Sequence, residues 1–130
     1  MQFVELPQQW DEIEPKPGKF TNQWLDIANA YYPQVGIRLV ISLNAIDTNS
    51  LRLPEDLKDK PFDHPDVIAR YKKAIDYVLG RLPDATLVAF SIGNEIDGFL
   101  GADQAKWAQY HLATRHFHRR GQYVQKVLRR

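Results

Sequence analysis

The 130-residue chain has no cysteine, which excludes a disulfide framework, a thiolate metal site and a cysteine nucleophile. No apolar run approaches the ~20 residues needed to cross a bilayer. The opening Met1-Gln2-Phe3-Val4-Glu5 lacks the basic start and apolar core of a signal peptide. The chain is therefore expected to be soluble, with no membrane partner and no export signal of its own. There is no glycine-rich phosphate loop, no Ser-His-Asp set and no metalloprotease helix motif.

Acidic residues are also missing from one end. The net charge of +1 hides this, because all sixteen acids lie at or before Asp103. Residues 1–114 carry a balance of −5, whereas residues 115–130 hold six Lys/Arg and no acid. The tail at 113–130 is thus compositionally separate and reads as a solvated or frayed basic helix. Lys and Arg attract phosphates, but this stretch is short, has no recognition motif and follows an acidic body, so no nucleic-acid partner is expected.

What remains is an ordinary globular composition, 44% hydrophobic and 25% charged, of a size for one domain. Phe3-Val4-Glu5-Leu6 predicts a first strand, followed by a loop from Trp10 to Phe20 with turn signals at Pro15, Pro17 and Gly18. Thr21 or Asn22 can cap a helix whose apolar positions are Trp24, Leu25, Ala28, Tyr31 and Tyr32. A strand is expected over Ile37–Leu43, then a long polar loop from Asn44 to Pro61 suited to binding. A helix starts near Asp63 to Pro65, with Ile68, Tyr71, Ile75, Val78, Leu79 and Leu82 on one face. The apolar run Leu87–Ile92 reads as a buried parallel strand, and a last helix opens near Asp103 with Trp107 and Tyr110 inward. The order β-α-β-α-β-α predicts an α/β chain with a parallel sheet.

The strongest motif is Gly93-Asn94-Glu95-Ile96-Asp97, which places an amide and a carboxylate directly after an apolar strand. A strand end is a rigid mount, and a carboxylate half-desolvated there can be raised enough to donate a proton near neutrality. Gly93-Asn94-Glu95 resembles the Asn-Glu pair at the end of barrel strand four in the retaining (β/α)8 glycoside hydrolases of clan A. The segment Trp10-Asp11-Glu12-Ile13-Glu14-Pro15-Lys16-Pro17-Gly18-Lys19-Phe20 is similar to the stretch after their second strand, and Ile37–Leu43 falls where strand three belongs. The resemblance covers about residues 3 to 112.

The resemblance implies an incomplete TIM (β/α)8 barrel over residues 1–112, holding strands two to four. It also implies that Glu95 is the catalytic acid/base and that Asn94 binds the substrate through its 2-hydroxyl. Trp10, in the expected loop, is the candidate for a further sugar contact. A retaining enzyme needs a second carboxylate roughly 5 Å from the first as nucleophile, and the clan carries it on strand seven, for which these residues have no counterpart. The expectation is a fragment of a retaining β-glycoside hydrolase, inactive alone, whose Glu95 titrates like an ordinary exposed acid. The alternative is a non-catalytic carbohydrate-binding or scaffold module that self-associates through its exposed sheet edges.

The other candidates read as structural. Asp97, Glu14 and Asp47 are expected to be solvated loop acids, with Glu14-Pro15 fixing loop geometry. Trp24 and Trp107 sit at helical core spacing and read as packing. His111, His116 and His118 have no nearby carboxylate to complete a metal set, and His64 reads as a surface residue at a helix start. No metal or other cofactor is expected.

Overall fold

A computed structural model describes residues 2–47 and 50–91, together with positions 104, 105 and 108. In chain order these form β1 (Phe3–Gln9), the single-turn helix α1 (Trp10–Ile13), α2 (Gln23–Tyr31) and β2 (Arg38–Asn44). A short hairpin of β3 (Ile46–Asp47) and β4 (Ser50–Leu51), a 3-10 turn (Glu55–Leu57), α3 (Pro65–Gly80) and β5 (Leu87–Ser91) follow. β1, β2 and β5 make a parallel sheet in that order, so the chain is mixed α/β as its pattern predicts. The pentapeptide at 93–97, Trp107, Tyr110, the three C-terminal histidines and the basic tail lie outside the described residues.

The core lies on one face of the sheet. β2 alternates, with Leu39, Ile41 and Leu43 fully buried among the helices. In-register partners of a parallel ladder share a face, so Val4 and Leu6 of β1 and Leu87 and Phe90 of β5 join them. α3 supplies Val67, Ile68, Tyr71, Ala74, Ile75 and Val78, and burying each of the Val and Ile side chains stabilises the fold by about 1.5–3 kcal/mol. Pro65 in the first turn has no N–H to leave unpaired, and the His64 side chain caps the helix by accepting from the Asp66 N–H. Tyr71 donates its hydroxyl to the Leu43 carbonyl at 2.5 Å, tying α3 to the end of β2.

Among the described residues the opposite face is covered by no helix. Phe3 is 65% exposed, and Glu5 and Ala89 are exposed beside a half-buried Val40. Here the strand over Leu87–Ile92 departs from expectation: it was read as buried, yet Val88, Ala89 and Ser91 are exposed. Among the described residues β5 lies at the sheet edge, and a register shift after Leu39 leaves Val88 between ladder pairs. β1 is the other edge, a position that tolerates the missing N–H of Pro7.

Two further expectations are corrected. Trp24 and Tyr31 were read as inward, but α2 buries Leu25 and Ala28, with Tyr32 packed behind them, and exposes Trp24, Ile27 and Tyr31. Both sets follow the same helical spacing, one residue apart. Asn22 caps α2 by accepting from the Trp24 N–H at 3.0 Å, and Asn29 accepts from the Asp84 and Ala85 N–H groups at 2.8 and 3.0 Å and donates to the Asp84 carboxylate. The stretch from Asn44 to Pro61 is not merely a polar loop either. It buries Ala45, Ile46, Leu53 and Leu57 in the core, which is why it folds back as a hairpin and a 3-10 turn.

The contrast between the faces is measurable. Ile41→Ala should lower the unfolding free energy in urea by about 2–5 kcal/mol, whereas Val88→Ala on the exposed bulge should change it by no more than ~0.5 kcal/mol. Equal losses at both positions would contradict the assignment of faces.

Candidate functional site

A parallel sheet brings the C-terminal ends of its strands together, and here these ends are polar. β1 finishes in Gln8-Gln9, β2 in Asn44 and β5 in Ser91, with Gln9 and Asn44 paired in the ladder. Alternation places Ser42 and Asn44 on the face away from the helices, yet both are buried. Ser42 donates its hydroxyl to Asn44 Oδ1 at 2.5 Å, and Gln9 Nε2 donates to Asp47 Oδ2 at 2.6 Å. Asp47 thus stands at the sheet end, where a loop acid was expected, but half-buried on β3 and hydrogen-bonded.

The remaining halves of these amides are enclosed and unpaired. Gln9 Oε1 and Asn44 Nδ2 have no hydrogen-bond partner. A buried orphan acceptor or donor costs roughly 1–3 kcal/mol. Side by side, one of each matches a hydroxyl, which both donates and accepts.

Beneath this tier lies a second polar centre built around Glu14. Glu14 Oε1 accepts from Trp10 Nε1 at 2.8 Å, and Oε2 accepts from the Gly18 N–H at 2.8 Å and from Arg70 Nε at 2.7 Å, with Arg70 Nη2 in close contact. Arg70 Nη1 reaches on to Asp56 Oδ2 at 2.7 Å. The turn Lys16-Pro17-Gly18-Lys19, closed by a 2.9 Å bond from the Lys19 N–H to the Lys16 carbonyl, aims the Gly18 N–H at the carboxylate. Its third residue has φ +73°, which glycine adopts without strain. Glu14 is expected to be a solvated loop acid that fixes loop geometry; it is instead buried, 1% exposed, because four donors fill its lone pairs, and through them it does fix the loop.

Trp10 differs from its sequence reading. It lies in α1 rather than a loop, is fully buried, and packs edge-to-face on Tyr71 with ring centroids 5.0 Å apart. No face of its indole is exposed, so its part is to orient Glu14 rather than to stack on a sugar. Asn94, Glu95 and Asp97 lie outside the described residues, three or more positions beyond Ser91 in sequence. Gln8, Gln9, Ser42 and Asn44 were missed. The signal that picked out Asn94 after an apolar strand, an amide at the run's end, applies equally to Asn44 after Leu43.

Electrostatics follow burial. The hydrogen bond from Arg70 holds the Asp56 carboxyl below its ordinary value, against a smaller effect of burial. Burial works against the charge of Arg70, but the carboxylates of Asp56 and Glu14 outweigh it and raise its pKa. Burial pushes Asp11 up despite Arg52 at 3.1 Å. Among the described residues no group of three or more His, Cys, Asp or Glu is arranged to hold a metal ion, and no helix is long and apolar enough to cross a membrane.

Glu14→Gln should lower the unfolding free energy by about 3 kcal/mol, because it removes one of the two carboxylates that hold Arg70 and turns a buried amide N–H2 toward donors that the carboxylate now accepts from. A double Glu14→Gln, Arg70→Met variant should recover part of that loss in urea titrations. If the double variant is worse than the sum of the single ones, the pair does not act as described. Asp56 has a folded-state pKa depressed below 3.8, so its contribution is present above that pH and lost as pH falls through the folded value. The stability difference between the native chain and Asp56→Asn should therefore shrink on acidification below about pH 3.8, as read by denaturant melts across the acid range.

Comparison with known proteins found no matching family model, no matching curated protein and no matching solved structure.

Proposed function

We propose that the chain is part of a retaining β-glycoside hydrolase, an incomplete (β/α)8 barrel bearing the acid/base Glu95 and its neighbour Asn94. The observation that carries this reading is the polar tier at the C-terminal strand ends, where Gln9 and Asn44 pair in the ladder and Gln9 bonds Asp47. Active groups of (β/α)8 enzymes occupy that end of the sheet. Asn94 and Glu95 follow Ser91, the end of a third strand of the same parallel set, by three and four positions in sequence. A sheet face without helices among the described residues, and two edge strands, are what three units of a larger barrel would present.

In this reading Glu95 protonates the leaving glycosidic oxygen and then takes a proton from water, while Asn94 bonds the 2-hydroxyl. These residues hold one half of the catalytic pair, so turnover needs the nucleophile from further βα units. A second reading, a scaffold module that completes its sheet by self-association, draws on the same edges and on the exposed Phe3 and Val88.

Sequencing the locus on both sides should reveal frames for the remaining βα units, including a Glu at the seventh strand end. The joined protein should hydrolyse natural β-glycosides, with Glu95→Gln lowering kcat by about 10²-fold or more while sparing aryl glycosides with good leaving groups. An unchanged rate on natural glycosides in the Glu95 variant would overturn the assignment.

A further inference from the structure

Among the described residues, few large hydrophobic side chains are left in water, and three of them share one helix. Trp24, Ile27 and Tyr31 are 68%, 51% and 54% exposed, and their spacing of three and four residues aligns them in a single stripe along α2. Val35, just beyond the helix, is exposed as well. Apolar residues scattered singly on a surface need no explanation, but a contiguous aromatic-rich patch marks an interaction site.

The stripe is held in place from behind. Asn22 caps the helix start by accepting from the Trp24 N–H, and gives its own N–H to Tyr77 Oη at 2.8 Å. Asn29 ties the middle of α2 to the Asp84 and Ala85 N–H groups. The Tyr31 ring rests edge-on against Tyr32, with centroids 5.2 Å apart. Little ordering of the backbone is therefore left for an association to supply.

Charge says what can cover it. Asp26 is the one charged residue of α2. It projects about 100° or more around the helix from each stripe residue, and it stands 3.6 Å from Arg81, beyond α3. Gln23 and Ala30, which border the stripe on its outer side, are exposed and neutral. In a chain with 25% charged residues, this face carries none. An identical stripe can lie on it without setting any charge against its own copy, the constraint that a two-fold contact imposes.

The spacing is also self-complementary. Trp24 lies three residues before Ile27, and Tyr31 four after it. We infer that α2 is the contact of a homodimer, two copies packed antiparallel about Ile27 with Trp24 of each on Tyr31 of the other. Covering the exposed side chains on both copies buries on the order of 1,000 Å² in total, at the low end of specific interfaces. A reversible dimer of micromolar affinity is expected rather than an obligate one. This surface is separate from the sheet edges, and the inference rests on neither Glu95 nor turnover.

Sedimentation velocity of the full chain across the micromolar range tests it. A monomer–dimer equilibrium is expected, and Trp24→Ala should raise its dissociation constant at least about tenfold, with the circular dichroism spectrum unchanged. Ile27→Lys and Ile27→Glu each set like charges face to face, so each should be monomeric alone, and an equimolar mixture should restore the dimer. Val88→Lys, on the β5 edge, should leave the dimer intact. A chain that stays monomeric up to millimolar concentration overturns the inference and leaves the stripe to a different protein. A dimer that Ile27→Lys does not disturb overturns it as well. Association lost in Val88→Lys but kept in Trp24→Ala overturns it by assigning the contact to the sheet edge. A mixture of the two charged variants that stays monomeric overturns the antiparallel register about Ile27.

Discussion

A single carboxylate, buried beside the strand ends, organises the described part of this molecule. Glu14 is fully enclosed, and an ion so placed costs several kcal/mol unless its lone pairs are filled. They are filled from three directions: an indole from α1, a backbone N–H from the Pro17-Gly18 turn, and a guanidinium from α3. Arg70 extends the bond path to Asp56 in the crossover, and the Trp10 ring leans on Tyr71, whose hydroxyl holds the last turn of β2. Elements distant in sequence are thereby fixed at one end of the sheet. The polar tier above it inherits that rigidity, since Gln9 immediately precedes Trp10 and Asn44 follows Leu43.

The two faces of the sheet divide the work. One is filled with aliphatic side chains and supplies cohesion. Among the described residues the other is more exposed, and the groups enclosed on it are the polar Ser42 and Asn44, with the half-buried Gln9–Asp47 pair beside them. Polar groups kept out of water without full pairing are an expense that a purely structural sheet avoids. Their position at the strand tips puts that expense at the end of the sheet where the proposed site lies.

Much of the fold was legible because strong periodicities are local. The strand around Leu39–Leu43, the capped helix α3 and the parallel order follow from alternation, Pro65 and the lengths of the connections. What escaped had a physical cause in each case. Trp24 and Leu25 are equally apolar neighbours, and periodicity alone cannot say which of two adjacent stripes faces the core. The crossover from Asn44 to Pro61 mixes charges with isolated Ile46, Leu53 and Leu57, too sparsely for a pattern, although tertiary contacts bury all three. Trp10 was placed in a loop because one helical turn leaves no repeat to read. Of the candidate site, only the part of Glu14-Pro15 in loop geometry was legible; the burial of Glu14 was not, because its partners Trp10 and Arg70 come from separate helices. The amide tips were not, because Gln8 and Gln9 look like loop residues until β2 provides their register.

The twin stripes of α2 carry a consequence for how uniquely this chain folds. A helix with two apolar faces one residue apart has two packings of similar hydrophobic gain, reached from each other by rolling through about 100°. Asn29 separates them. It accepts two backbone N–H groups after α3 and donates to the Asp84 carboxylate, and rolling the helix would forfeit all three contacts at once. Asn29 therefore serves as an index pin: its three contacts exist only in the native orientation, so they widen the gap to the competing one. The exposed stripe of Trp24, Ile27 and Tyr31 is left facing outward not because it is less apolar, but because an amide on the far side chose the orientation.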